Sequence, residues 1–177
     1  MKKVKELFKK ENTNLIIILF VISIFVCLPL LKSDIDMTYD DGIQHICRLM
    51  GTYQSIEEGQ MFPVIMSEFC NGFGYSWNIF YSPITAFVPL VFKLIGVSFA
   101  TCIKLFMFLV VFVSGLAMFF FTREVTKNNK IALLAGVLYI LAPYRLTDMY
   151  SRNALAELTS FIFLPMIFHR IIFIDKY

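Results

Sequence analysis

The sequence predicts an all-α integral membrane protein with about four transmembrane helices, plus interfacial amphipathic helices in the first outer loop. Three observations carry that prediction. Hydrophobic residues make up 58% of the 177 positions and charged ones 16%, against about 45–50% and ~25% in soluble domains. The apolar residues fall in long runs separated by short polar links. Basic residues gather in the segments that the resulting topology leaves on one side of the bilayer. The net charge of +3 is small and scattered and forms no basic face, so nucleic acid is not an expected partner. Cys27, Cys47, Cys70 and Cys102 show no metal-ligand spacing. Cys47 and Cys70 share one polar stretch and are the only pair placed to form a disulfide.

Residues 1–13 form a basic tail with five lysines and two acids. The apolar run behind it gives a first span over about 14–31, ending near Pro29 with no small-residue cleavage site; this is the pattern of an uncleaved signal-anchor helix. Its apolar part, Leu15–Leu31, has 17 residues and reaches about 26 Å as a helix, just enough to cross. Residues 32–82 form a polar loop with seven acids and two bases. Within it, an interfacial helix is expected over about 39–58. Residues 83–96 are apolar but too short to span easily, and they contain Pro89 and Lys93, so they predict a half-inserted helix. Further spans follow at about 97–121, 131–146 and 155–174, all within one membrane domain over 14–177. The basic tail should stay cytoplasmic, which sends the 32–82 loop outside and returns Arg123, Lys127 and Lys130 to the cytoplasm.

Two stretches could carry chemistry. In "TYDDGIQHICRLMG", Thr38 and Asp41 have the spacing of a capping box. A helix there places Asp41, Gln44, His45 and Arg48 on one face and Ile43, Ile46, Cys47 and Met50 on the other. The polar face should turn to water or to a cleft. It reads equally as a solvated face or as a site in which a carboxylate at the membrane surface acts as a general base. Upstream, Asp34 and Asp36 form a D-x-D pair of the kind that can hold a divalent cation against a diphosphate; such pairs are also common in plain loops. No other cofactor is suggested.

In "APYRLTDMYSRNALAE", Arg145 and Arg152 flank Asp148 on one helical face. Arginines on the outer side run against the charge bias, and guanidinium suits bidentate contact with phosphate oxygens. The other reading is a structural ion-pair network. Glu157, just inside the last span, should pair with Arg152 or Arg145. In "EFCNGFGYSWNIFYSP", Gly72 and Gly74 permit tight turns. The aromatics suit an interfacial belt, with Tyr75 or Trp77 as a sugar-stacking alternative. His169, beside Arg170, reads as an interfacial cap and not as a ligand.

Taken in order, "YDDGIQHICRL", "GQMFPVIMSEFCNGFGYSWNIFYSPI" and "LYILAPYRLTDMYSRNALAE" resemble the N-terminal part of the multi-span GT-C-type glycosyltransferases, closest to the YfhO-like bacterial membrane proteins. The resemblance covers roughly Asp34 to Pro165. It implies a polyprenyl-phosphate sugar as donor, chemistry on the outer face of the bacterial cell membrane, and inversion at the anomeric carbon. Asp40 or Asp41 would be the catalytic base. Arg145 and Arg152 would contact the donor phosphate, with His45, Arg48, Glu157, Tyr75 and Trp77 completing the substrate-binding set. Relatives of that kind have many more spans, so this chain is expected to be one module that a C-terminal part or a second polypeptide completes. The alternative is a truncated, non-catalytic membrane scaffold or subunit binding lipid or a partner protein. A small transporter ranks last, because Lys104 and Glu157 lie near span ends and no pair of broken helices is evident.

Overall fold

The computed structural model describes residues 10–31 and 41–174. Asp34, Asp36, Thr38 and Asp40 lie outside these residues, as does most of the basic tail. Within them the chain is all-helical. Helix α1 (Lys10–Cys27) continues into a 3-10 turn, Leu28–Leu31, where Pro29 has no N–H to extend the α ladder. Next come α2 (Gly42–Glu57), a single turn α3 (Trp77–Phe80), α4 (Ile84–Leu94), α5 (Phe99–Thr126) and α6 (Asn129–Ile140). The chain ends with α7 (Pro143–Thr147), a π-helical turn over Asp148–Arg152, and α8 (Leu155–Phe173).

Three helices are long and apolar enough to cross a membrane: Thr13–Leu31, Phe99–Thr126 and Leu155–Phe173. They become four if the bent pair Asn129–Ile140 and Pro143–Arg152 is one span. That pair breaks where Pro143 opens α7, since the residue before a proline is driven out of helical geometry. It is a bent pair of helices where the sequence suggests one plain span over about 131–146. Helix α4 is apolar but falls in the class too short to cross.

The chain divides into two compact units. One holds the described parts of Met1–Lys32, Phe108–Leu146 and Thr159–Tyr177. Its interior is apolar, and α1 packs against α6. Gly136 of α6 makes this possible: a Cβ there would stand 3.1 Å from the backbone oxygen of Gly115 and 3.2 Å from Leu19 Cδ2. Small residues that let backbones approach are the usual means of helix packing in lipid, where burial of apolar surface gives no drive. Phe20 sets its ring edge-on to Phe108 and Phe112. The buried hydroxyls of Ser23 and Ser114 donate to carbonyls of their own helices, Leu19 and Val111, so neither is left unsatisfied. Asn128 caps α6, its side-chain oxygen accepting from the N–H groups of Lys130 and Ile131.

The other unit comprises the described parts of Ser33–Met107 together with Thr147–Leu158. Here α2 packs on α4, and the interior is unusually polar. His45, Arg48, Thr52, Ser55 and Thr85 are all buried.

Candidate functional site

The site belongs to this second unit, and α2 is its foundation. The sequence expects the polar face of α2 to turn to water or a cleft and its apolar face to lie against the membrane surface. The structure divides the polar face: Asp41 and Gln44 are exposed and line a cleft together with His45, whereas His45 at 3% and Arg48 at 1% exposure reach inward, and Ile43 and Met50 on the apolar side are each 47% exposed. The start of the helix differs too. Asp41 occupies the N-cap position without a side-chain capping bond; Thr38, the other member of the expected capping box, lies outside the described residues. The backbone N–H of Asp41 instead donates to the carbonyl of Arg152 at 3.2 Å, fixing the chain entry by a tertiary bond.

Arg48 explains the buried part of that face. Its Nη1 donates to Thr85 Oγ1 (2.8 Å), its Nε to Asn78 Oδ1 (3.2 Å), and its Nη2 to the carbonyls of Ser82 (3.0 Å) and Tyr81 (3.3 Å). Its guanidinium also lies 4.6 Å from the Tyr81 ring centroid and 6.0 Å from that of Trp77. A planar five-donor group meets several acceptors at once in a way an ammonium cannot. Burial pushes the Arg48 pKa down to about 10, which still leaves it charged at neutral pH. Its donors hold the 77–85 segment onto α2.

Around this hub the loop aims its aromatic rings. Met66 and Tyr75 exchange two backbone hydrogen bonds, 3.0 and 3.1 Å long, across a turn that includes Cys70, Asn71, Gly72 and Gly74 at positive φ. Gly74 is required there, since at φ +81° a Cβ would also meet Ile65 Cγ2 at 2.7 Å. Gly51 of α2 likewise leaves room for the Phe69 ring and Met66 Sδ. The bridge sets Tyr75 and Trp77 edge-to-face at 5.6 Å, and Asn78 secures the far side by donating to the Pro63 carbonyl at 3.0 Å.

The result is a cavity of about 250 Å³ lined by Asp41, Gln44, His45, Tyr75, Trp77, Phe80 and Tyr81. It joins the predicted residues Asp41, His45, Tyr75 and Trp77. At its wall the Tyr81 hydroxyl accepts from the N–H of Ala156 at 3.1 Å, and its pKa is raised, chiefly by burial. The His45 ring lies 5.3 Å from that of Tyr81. Neither of its buried nitrogens makes a hydrogen bond among the described residues; the Asn153 backbone lies close enough to favour the protonated ring slightly. Burial first, and then the Arg48 cation, push the His45 pKa down to about 4. At neutral pH it is an uncharged imidazole with one N–H donor and one acceptor nitrogen.

Arg152 is 44% exposed in its side chain and bridges Asp148 Oδ1 (3.1 Å) and Glu157 Oε2 (2.8 Å). Of the two partners expected for Glu157, Arg152 is the one this ion pair shows. The π turn ends at Asn153, which takes a left-handed φ of 53° that asparagine tolerates. Arg145 belongs to the first unit, is 1% exposed, and donates to the Val110 carbonyl at 3.4 Å. Its guanidinium lies 5.2 Å from the Phe161 ring and 5.7 Å from that of Tyr139. It is buried where the sequence suggests a displayed phosphate ligand.

Sequence reasoning missed one pair. In the first unit His169 Nε2 lies 2.6 Å from Glu124 Oε2, beside a mainly apolar cavity of about 440 Å³. Two polar residues near the ends of apolar runs were the available signal. Their separation of 45 positions hid the pairing. All four cysteines are free. Among the described residues no group of three His, Cys, Asp or Glu side chains could hold a metal, and the D-x-D pair lies outside them.

The chain is 31% identical over 135 residues to a protein of Lactococcus lactis subsp. cremoris (strain MG1363) described as "Uncharacterized protein". The aligned part is 76% of this chain and 22% of that one, so the chain spans about a fifth of the relative's length. No family model matches the chain. No solved structure matches it either.

Proposed function

We propose that this chain is the N-terminal module of a membrane glycosyltransferase that uses a polyprenyl-phosphate sugar on the outer face of the bacterial cell membrane. The cytoplasmic N-terminus, about four spans and a half-inserted α4 are part of the same reading, which places the second unit's loop outside. The observation that carries it is the cavity, where one carboxylate meets four aromatic rings, an amide and a neutral imidazole. Aromatic faces stack on the C–H faces of sugars, and a few convergent polar groups fix orientation. In this reading Asp41 accepts the proton of an acceptor hydroxyl, and Asp40 remains its alternative. Arg152, exposed and tied through its carbonyl to the Asp41 backbone, is the cation placed to meet the leaving phosphate as charge develops.

A second reading is a non-catalytic scaffold that binds lipid, a partner chain or further parts of a longer protein. The burial of Arg48 and Arg145 supports it, because both guanidiniums already make contacts within the protein.

The test is sugar transfer from a short-chain polyprenyl-phosphate hexose by the chain in proteoliposomes. Asp41→Asn should lower turnover at least 100-fold with donor binding retained. Undiminished turnover in that variant would remove Asp41 from the base role. Donor binding with no turnover in the wild type would bring the scaffold forward.

A further inference from the structure

We infer that the cavity beside α2 receives an uncharged glycosyl ring and excludes its phosphate, with His45 as the residue that hydrogen-bonds the ring hydroxyls. The inference rests on the reading of this cavity as a sugar site and names what enters it.

Three features of the second unit converge. The first is His45, which lines the cavity at 3% exposure with no side-chain partner for either ring nitrogen among the described residues; the Asn153 backbone is its one polar neighbour, so at least one nitrogen is left to a ligand. Buried polar groups are normally satisfied, and leaving one without a partner costs about 1–3 kcal/mol. A ligand that both donates and accepts satisfies either nitrogen of a neutral imidazole. A hydroxyl does this, whereas a fully ionised phosphate only accepts. The low pKa, about 4, keeps the ring in the form that needs such a partner.

The second feature is charge. Arg48 is the cation nearest the aromatic wall, and its donors are taken by Thr85, Asn78 and the carbonyls of Tyr81 and Ser82. Turning it towards a ligand anion would break all of those bonds. The acidic side chain on the cavity lining is Asp41. Arg152, linked to the Asp41 backbone, is not on that lining and pairs with Asp148 and Glu157 outside it. Among the described residues the lining therefore offers an anion a carboxyl group and no cation.

The third is the wall. Tyr75, Trp77, Phe80 and Tyr81 present ring surface, with Gln44 adding an amide. The volume of about 250 Å³ suits one sugar ring and its hydroxyls. In the glycosyltransferase reading the ring then sits beside Asp41, and the phosphate lies outside towards Arg152.

Trp77 is the only tryptophan in the protein, so its fluorescence reports on the cavity. The experiment titrates the full chain in nanodiscs with a panel of methyl hexosides and N-acetylhexosamine methyl glycosides, and in parallel with the matching hexose 1-phosphates and inorganic phosphate. At least one methyl glycoside should give a saturable Trp77 change, with its 1-phosphate at least tenfold weaker and inorganic phosphate unable to compete. His45→Phe should weaken that binding about tenfold or more and His45→Gln less, with thermal melts checking that both variants fold. A 1-phosphate that binds as tightly as its glycoside, or binding unchanged in both His45 variants, would overturn the inference while leaving the glycosyltransferase reading standing. Glycoside binding in a chain that binds no polyprenyl-phosphate sugar would support the inference and remove that reading. Silence of Trp77 to every compound would overturn both.

Discussion

The two units solve the same problem, helix packing, with opposite chemistry. In the first, α1 and α6 meet through a glycine and aliphatic side chains, the Ser23 and Ser114 hydroxyls bond within their own helices, and Arg145 and Tyr139 each reach a backbone carbonyl of a neighbouring helix. In the second, α2 turns His45 and Arg48 inward and is held by a guanidinium with four acceptors. An apolar interface of the first kind tolerates sliding and repacking. A hydrogen-bonded hub fixes one register, and so it suits the unit that must hold a carboxylate, an imidazole and four rings around one cavity.

That contrast can be broken most forcefully at Arg48. Replacing it by methionine keeps much of the volume but strips Thr85, Asn78 and two carbonyls of their donor, and should cost about 3–5 kcal/mol. Thermal unfolding in detergent would register the loss, and Arg48→Lys should recover only part of it. A near-neutral Arg48→Met would mean that apolar contacts hold the second unit as they do the first.

The next effect is smaller and depends on pH. The folded His45 pKa lies near 4, against the ordinary 6.5. Between these values the unfolded chain binds a proton that the folded one does not. Stability from this group is therefore complete above pH 6.5 and is lost as pH falls towards 4, by at most roughly 3 kcal/mol. Comparing wild type with His45→Gln between pH 7.5 and 5 isolates it from other titrating groups. The variant should show the flatter profile.

Gly136→Ala sharpens the comparison from the other side. The added methyl faces the Gly115 carbonyl oxygen, a backbone atom, at 3.1 Å, and overpacking of this kind should cost about 1–3 kcal/mol. The loss should show in unfolding of the first unit, with ligand-induced Trp77 fluorescence in the second unchanged.

The sequence makes the helices readable because apolar run length and proline position decide them. Leu15–Leu31, Val97–Phe121 and Pro83–Gly96 each lie where a helix is found, and the Ala142-Pro143 step marks the break before α7. Tyr75 and Trp77 could be singled out from their setting among glycines. What periodicity could not give was the depth of each residue on the polar face of α2. A period of 3.6 groups Asp41, Gln44, His45 and Arg48, but it does not say that Asp41 and Gln44 stay exposed at the cleft while His45 and Arg48 are buried. That choice is made by acceptors 30 to 37 positions away, Asn78 and Thr85, which only the folded loop presents. The π turn was hidden for a similar reason. Asp148–Arg152 carries no residue that demands it, and the tertiary bonds to Asp41 and Tyr81 lie just beside it.

The central claim is that the side of α2 carrying His45 and Arg48 is the interior of the second unit, and cysteine accessibility tests it most directly. In a background with Cys27, Cys47, Cys70 and Cys102 replaced by serine, single cysteines at Ile43, Met50, Thr52 and Ser55 would be labelled with a membrane-impermeant maleimide in intact cells and, for total reactivity, in detergent. Cysteines at 43 and 50 should react rapidly in detergent and those at 52 and 55 slowly. Fast labelling at 52 and 55 with protection at 43 and 50 would return α2 to an outward polar face and dissolve the cavity built on it.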